Sequence, residues 1–336
     1  MKVIKILLLL TLSIVLALLS LHLVESSRDY YIYLGKFRDA NKVQNLMDAF
    51  EDKELLFAFL SHYISSFETV FFIFVITSLV IKTILFSKIS DLYLYIIVYY
   101  LARFYLVHEV TQVRVDLAIA FFFLSFYLLI IKKRSLSILF FILSFFTHNS
   151  ILFLLPIYLA LTFIKDYNKL FRYAFFSLCT IFVLGIFGET FKFDLNAIMS
   201  YLPTERYMYY IDEKYKFEIP SLLTDVYFYI KFLSIVIIYK NRNNSYILQN
   251  KYIIPAAIVF SFTNFFFVAL HSSFGIAARL SDLSSTMEAF VVATALYVLV
   301  YYNLSRFVTL KKVVYILLLF ALSLKLFSSQ MYLLEN

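Results

Sequence analysis

Residues 103–149 read RFYLVHEVTQVRVDLAIAFFFLSFYLLIIKKRSLSILFFILSFFTHN. Apolar stretches here are interrupted by His108-Glu109-Val110-Thr111-Gln112-Val113-Arg114, by Lys132-Lys133-Arg134 and by Thr147-His148-Asn149. The stretches are continuous rather than alternating, so they read as membrane helices and not as barrel strands. Ionisable groups at such depth are costly and mark a candidate site.

The same pattern extends in both directions. Over 336 residues the chain is 62% hydrophobic and 15% charged, with a mean hydropathy of +0.85, outside the range of a soluble domain. The fold class it implies is all-α, a polytopic transmembrane bundle of about ten to eleven helical segments at 4–24, 67–87, 90–108, 114–131, 136–147, 149–164, 172–190, 222–240, 252–271, 281–303 and 313–331. No repeat or linker divides it, and residues 1–336 read as a single integral membrane domain. The first run reads as an uncleaved anchor, since no small-x-small site precedes Glu25-Ser26-Ser27. A single Cys179 can form no intrachain disulfide.

The net charge of +8 comes from basic residues scattered between apolar runs, which points to topology signals and not to nucleic acid. Lys2 and Lys5 place the N-terminus in the cytoplasm. Lys82 with Lys88, Lys132-Lys133-Arg134, Lys165 with Lys169 and Arg172, Lys240 with Arg242 and Lys251, and Arg306 with Lys311 and Lys312 then read as cytoplasmic ends. Residues 25–66 and 189–221 become external, with an amphipathic helix expected near 55–64. Residues 135–164 are basic at both ends and broken at Thr147-His148-Asn149. A short re-entrant-like hairpin near 136–164 keeps both basic ends inside, with His148 at its sheltered tip.

Candidate site residues are the polar groups on the external side of this topology. Arg114 begins one expected span and Arg279 stands at the start of another, and the guanidinium fork suits phosphate oxygens. Snorkelling to the interface is the competing reading for each, and Arg103 divides evenly between the two. Lys231, inside an apolar helix, is weighed equally between phosphate binding and snorkelling. His148 in mid-run either exchanges a proton or ties the hairpin tip to the backbone. Asp29, followed by Tyr30-Tyr31, and Glu54 either orient sugar hydroxyls and serve as a base or are solvated charges, while Tyr30 offers a face for a sugar ring. Arg206 and Tyr207 lie in the second external region. The chain contains no Gly-rich phosphate loop, Asp-x-Asp pair, G-x-S-x-G motif or Cys pair, so neither nucleotide nor metal chemistry is expected and no cofactor is implied.

Asp29-Tyr30-Tyr31, Glu54-Leu55-Leu56-Phe57, Arg114-Val115-Asp116-Leu117-Ala118 before Lys132-Lys133-Arg134, Phe146-Thr147-His148-Asn149-Ser150 and the late Arg279-Leu280 together resemble the EpsG family of Wzy-type exopolysaccharide and O-antigen polymerases. One departure is Val115 with Asp116 next, where a small or polar residue is expected after Arg114. The resemblance implies a glycosyltransferase on the outer side of the bacterial cytoplasmic membrane. It would move a growing glycan from undecaprenyl diphosphate onto the sugar of another lipid-linked repeat unit. Donor and acceptor would be undecaprenyl-diphosphate-linked oligosaccharides embedded in membrane lipid, and a chain-length regulator is a further candidate partner. On this reading Arg114, Arg279, Arg206 and Arg103 hold the diphosphate, His148 or Asp29 takes the proton, and Glu54, Tyr30 and Tyr207 contact sugars. The alternatives from other classes are a flippase or exporter for lipid-linked oligosaccharide and a membrane glycan acyltransferase.

Overall fold

The computed structural model describes residues 2–43, 54–187, 222, 225–271, 274–303 and 308–334. Among these residues the chain is all-helical, with no strand. Four of the described helices are long and apolar enough to cross a membrane: Val3–Ser26, Phe67–Ile89, Val113–Ile130 and Tyr167–Ile186. A pair bent by 72°, Gly275–Asp282 with Ser285–Tyr301, is a fifth candidate. The chain is a membrane protein, and it divides into two compact units, Met1–Leu155 with Asn303–Asn336, and Pro156–Tyr302.

The first unit contains α1 (Lys2–Leu23), α2 (Tyr30–Lys42), α3 (Leu55–Tyr63), α4 (Phe67–Ile89), α5 (Tyr93–Tyr105) with a π-helical turn (Leu106–Thr111), α6 (Val113–Ile130) and α7 (Arg134–Thr147). Ser66 starts α4: its hydroxyl accepts from the Thr69 N–H, while Glu68 complements the positive end of the helix dipole. Helix α6 is enclosed by α4 and α7, whereas α1 leaves Val3, Leu7, Leu8 and Val15 exposed for lipid. Small hydroxyl residues join the helices. Ser125 Oγ donates to the Ser137 carbonyl at 2.7 Å and Ser137 Oγ returns a bond to the Ser125 carbonyl at 2.8 Å. Ser144 bonds the Ala118 carbonyl, so α7 runs antiparallel to α6. Such residues let backbones approach closely and supply the attraction that lipid does not.

The α5–α6 connection is inset. Ser78 Oγ donates to the Asp116 carbonyl at 3.4 Å, and Ser78 lies eleven residues into α4, roughly 16 Å along a helix rising 1.5 Å per residue. Helix α6 therefore starts about half-way down α4. The space above it is filled by α2 and α3. Phe57 meets Phe74 at 5.6 Å, and Phe37 and Tyr30 each meet Phe67 at 5.7 Å between ring centroids. Asn41 Nδ2 ties α2 to the end of α3 through the Ser61 and Ile64 carbonyls.

Helix α3 lies where the sequence placed an amphipathic helix; α2 is a further helix in the same region. The break at His148 is present too. Helix α7 ends at Thr147, and a 3₁₀ turn (Asn149–Leu154) leads into α8 (Leu155–Phe163).

The second unit continues with α9 (Tyr167–Phe187), α10 (Val226–Lys240), α11 (Ser245–Gln249), α12 (Ile253–Ala269), α13 (Phe274–Asp282) and α14 (Ser285–Val298). Asp225 caps α10 by accepting from the Tyr227 and Phe228 N–H groups. The sequence reading started one span at Ser281; the structure corrects this to two helices that break after Asp282. Ser284 supplies the reason. Its N–H and its hydroxyl both bond the Ser281 carbonyl, and its hydroxyl also pairs with Thr263 Oγ1 at 2.6 Å. Such bonds offer the backbone an alternative to continuing the helix. Finally α15 (Val308–Ser328) returns to the first unit, where Tyr315 packs edge-on to Tyr95 of α5.

Candidate functional site

Glu54 immediately precedes α3, and its side chain makes no capping bond there. Its carboxylate instead forms an ion pair with Arg114 in the first turn of α6. Two further groups converge on it: Lys36 of α2, with Nζ 3.7 Å from Oε2, and His148, with Nδ1 3.9 Å from Oε1. Four elements thus bring one carboxylate and three basic side chains together within the first unit. Arg114 lies over the rings of Tyr33 (4.6 Å to the centroid) and Phe57 (5.5 Å), which fix the guanidinium plane by cation–π attraction. Burial pushes the Tyr33 phenol up, and the Arg114 guanidinium offsets part of that rise.

Partial exposure separates this cluster from a purely structural salt bridge. Side-chain exposure is 22% for Lys36, 25% for His148, 12% for Arg114 and 11% for Glu54. Arg114 and Lys36 bring two permanent cations to this position, and cations of this kind suit phosphate oxygens. His148 has an extended backbone, φ −156° and ψ 124°, between α7 and the 3₁₀ turn. The sequence break thus presents the imidazole beside Glu54.

The other expected residues are placed differently. Asp29 precedes α2 and is half-buried, while Tyr30 packs its ring against Tyr31 and Phe67. Arg103, in the last turn of α5, lies over Phe104 at 4.8 Å. Arg279 is exposed in the last turn of α13 in the second unit, not at the start of a span. Arg206 and Tyr207 lie outside the described residues. Among the described residues no group of three or more His, Cys, Asp or Glu could hold a metal ion.

A second cluster escaped the sequence reading. Lys82, assigned to a cytoplasmic end, is instead fully buried in α4, and its ammonium bonds Tyr100 Oη at 2.6 Å, Glu109 Oε1 at 3.3 Å and the Asp116 carboxylate. Tyr100 Oη is also 3.0 Å from Glu109 Oε1 and 3.2 Å from Asp116 Oδ1. The available signal was position: Lys82 lies seven residues before the end of α4, two turns too deep for an interfacial lysine. Buried His108 stacks on Phe104 at 5.4 Å.

In the second unit Lys231 neither snorkels nor stands open to solvent. It is buried, donates to Ser281 Oγ at 2.7 Å and pairs with Glu288 at 3.4 Å, spanning the α13–α14 break.

Compared with known proteins, the chain matches the family model described as the EpsG family over residues 5–335. No curated protein and no solved structure matches.

Proposed function

The chain belongs to the EpsG family, and from that premise we propose that it is a bacterial surface-polysaccharide polymerase of the cytoplasmic membrane. Its N-terminus would be inside and its site outward. The observation that carries this reading is the convergence of Arg114, Lys36 and His148 on Glu54 at a partly exposed position.

The chemistry follows from the charges. In the donor, the anomeric carbon of the growing glycan is bonded to a lipid diphosphate. Attack by an acceptor hydroxyl forms a new C–O bond and breaks the bond to the diphosphate, which leaves as an anion. Arg114 and Lys36 stabilise the charge developing on it, as fixed cations in a site of low dielectric do. His148 takes the proton of the attacking hydroxyl, and Glu54 faces the imidazolium that results. A single displacement inverts the anomeric carbon, by analogy with glycoside hydrolysis. The bond to the diphosphate supplies the driving force.

Deletion and complementation test the reading. A strain lacking the chain should accumulate single lipid-linked repeat units on the outer face, and Arg114→Ala or His148→Ala should fail to restore long glycans although the protein inserts. Repeat units trapped on the inner face would instead indicate a flippase. Long glycans lacking only acyl groups would indicate an acyltransferase.

A further inference from the structure

The Lys82 cluster reaches α6 through Asp116, two residues from Arg114, without belonging to the site just described. Asp116 and Arg114 are two residues apart, which is roughly 200° around an α-helix, so they project from opposite sides of the first turn of α6. That turn has no side-chain cap of its own at Gln112. What fixes it is the far side. The Lys82 ammonium holds the Asp116 carboxylate, and Ser78 Oγ holds the Asp116 carbonyl, both from α4. All three N–H groups of the ammonium are used, on Tyr100, Glu109 and Asp116.

The charges add a second constraint. Lys82 and both carboxylates are fully buried, so an ammonium with two carboxylates would leave a net negative charge away from water. Glu109 Oε2 and Asp116 Oδ2 are buried without a hydrogen-bond partner. One proton held on Glu109 leaves the cluster neutral, with Lys82 and Asp116 as its ion pair.

We propose that Lys82, Tyr100 and Asp116, completed by Glu109 as a carboxylic acid, are positioning residues for the polymerase site: they set the roll of α6 that aims Arg114 at Glu54. This rests on the reading of Arg114 as a diphosphate-binding residue.

The test uses the full chain in proteoliposomes with lipid-linked repeat units as substrate and inorganic diphosphate as a competing probe. The paired variant Lys82→Met/Asp116→Leu removes one charge of each sign and should insert and melt close to the wild type. Its KM for the donor should rise by about tenfold or more, and inhibition by diphosphate should weaken in parallel, because a misaimed guanidinium loses its fit to the anion. Tyr100→Phe takes one oxygen from the ammonium without changing charge and should show a smaller rise. It decides the matter if the pair does not fold. Glu109→Gln mimics the acid and should keep the wild-type melting temperature at neutral pH.

A wild-type KM in the folded pair, or in Tyr100→Phe where the pair does not fold, overturns the positioning role. A markedly lower melting temperature in Glu109→Gln overturns the protonated state. Normal polymerisation by Arg114→Ala would overturn the site reading itself, an outcome separate from both.

Discussion

Glu54 is the residue on which the charge balance of the site depends. Its carboxylate faces Arg114, Lys36 and His148. Glu54→Gln should therefore abolish long glycans and also lower the melting temperature, since it removes the negative charge from a largely buried pair with Arg114; glycan length on gels and a melt in detergent measure the two effects. Lys82→Met alone is the opposite case. It strands a fully buried carboxylate and should cost about 3–5 kcal/mol of stability, read from thermal unfolding. The sequence pointed to Arg114, His148 and Glu54, because charged or hydrogen-bonding side chains beside apolar runs stand out from lipid-facing ones. It implied that Arg114 and His148 approach one outward-facing pocket but did not pair Glu54 with them, since that meeting depends on α2 and α3 folding over the start of α6. Lys36 was invisible for a related reason: in the polar segment Lys36-Phe37-Arg38-Asp39 nothing marks one cation over its neighbour.

At the scale of elements, the serine ladder between α6 and α7 is the most exposed to mutation. Ser137→Leu removes the bond from Ser137 Oγ to the Ser125 carbonyl and forces bulk between closely packed backbones, an overpacking cost of about 1–3 kcal/mol. A lower melting temperature, with α6 more accessible to proteolysis, is the expected result. The α13–α14 bend should depend on Lys231 in the same way. Lys231→Met removes the buried cation facing Glu288, and adding Glu288→Gln should recover most of the loss in a double-mutant cycle. Helices α4 and α6 were legible because each is a long apolar run. The bend was not, because Arg279-Leu280-Ser281-Asp282-Leu283-Ser284 has no Pro or Gly to announce it. It arises from the Ser284 hydroxyl, which bonds the Ser281 carbonyl and reaches Thr263 on α12.

For the whole molecule, hydropathy alone established an all-helical membrane protein, and the family match over residues 5–335 agrees with the motif order along the chain. Hydropathy could not show depth. It gave roughly eleven helical segments, two of them hairpin arms too short to cross, whereas four described helices, or five with the bent pair, are long and apolar enough to cross. Short helices such as α5 and α7 stand beside longer ones, and their ends need not reach a surface. The inset α5–α6 turn therefore has an electrical consequence. Helix α4, at 23 residues, is long enough to span the hydrocarbon, and Arg114 lies about half-way along it. An anionic headgroup reaching Arg114 would move its charge through part of the transmembrane field, which is worth about 2.3 kcal/mol per elementary charge for each 100 mV across the full membrane. Imposing a potassium-diffusion potential on proteoliposomes should accelerate polymerisation in one polarity and slow it in the other, so that glycan length would follow the energised state of the membrane.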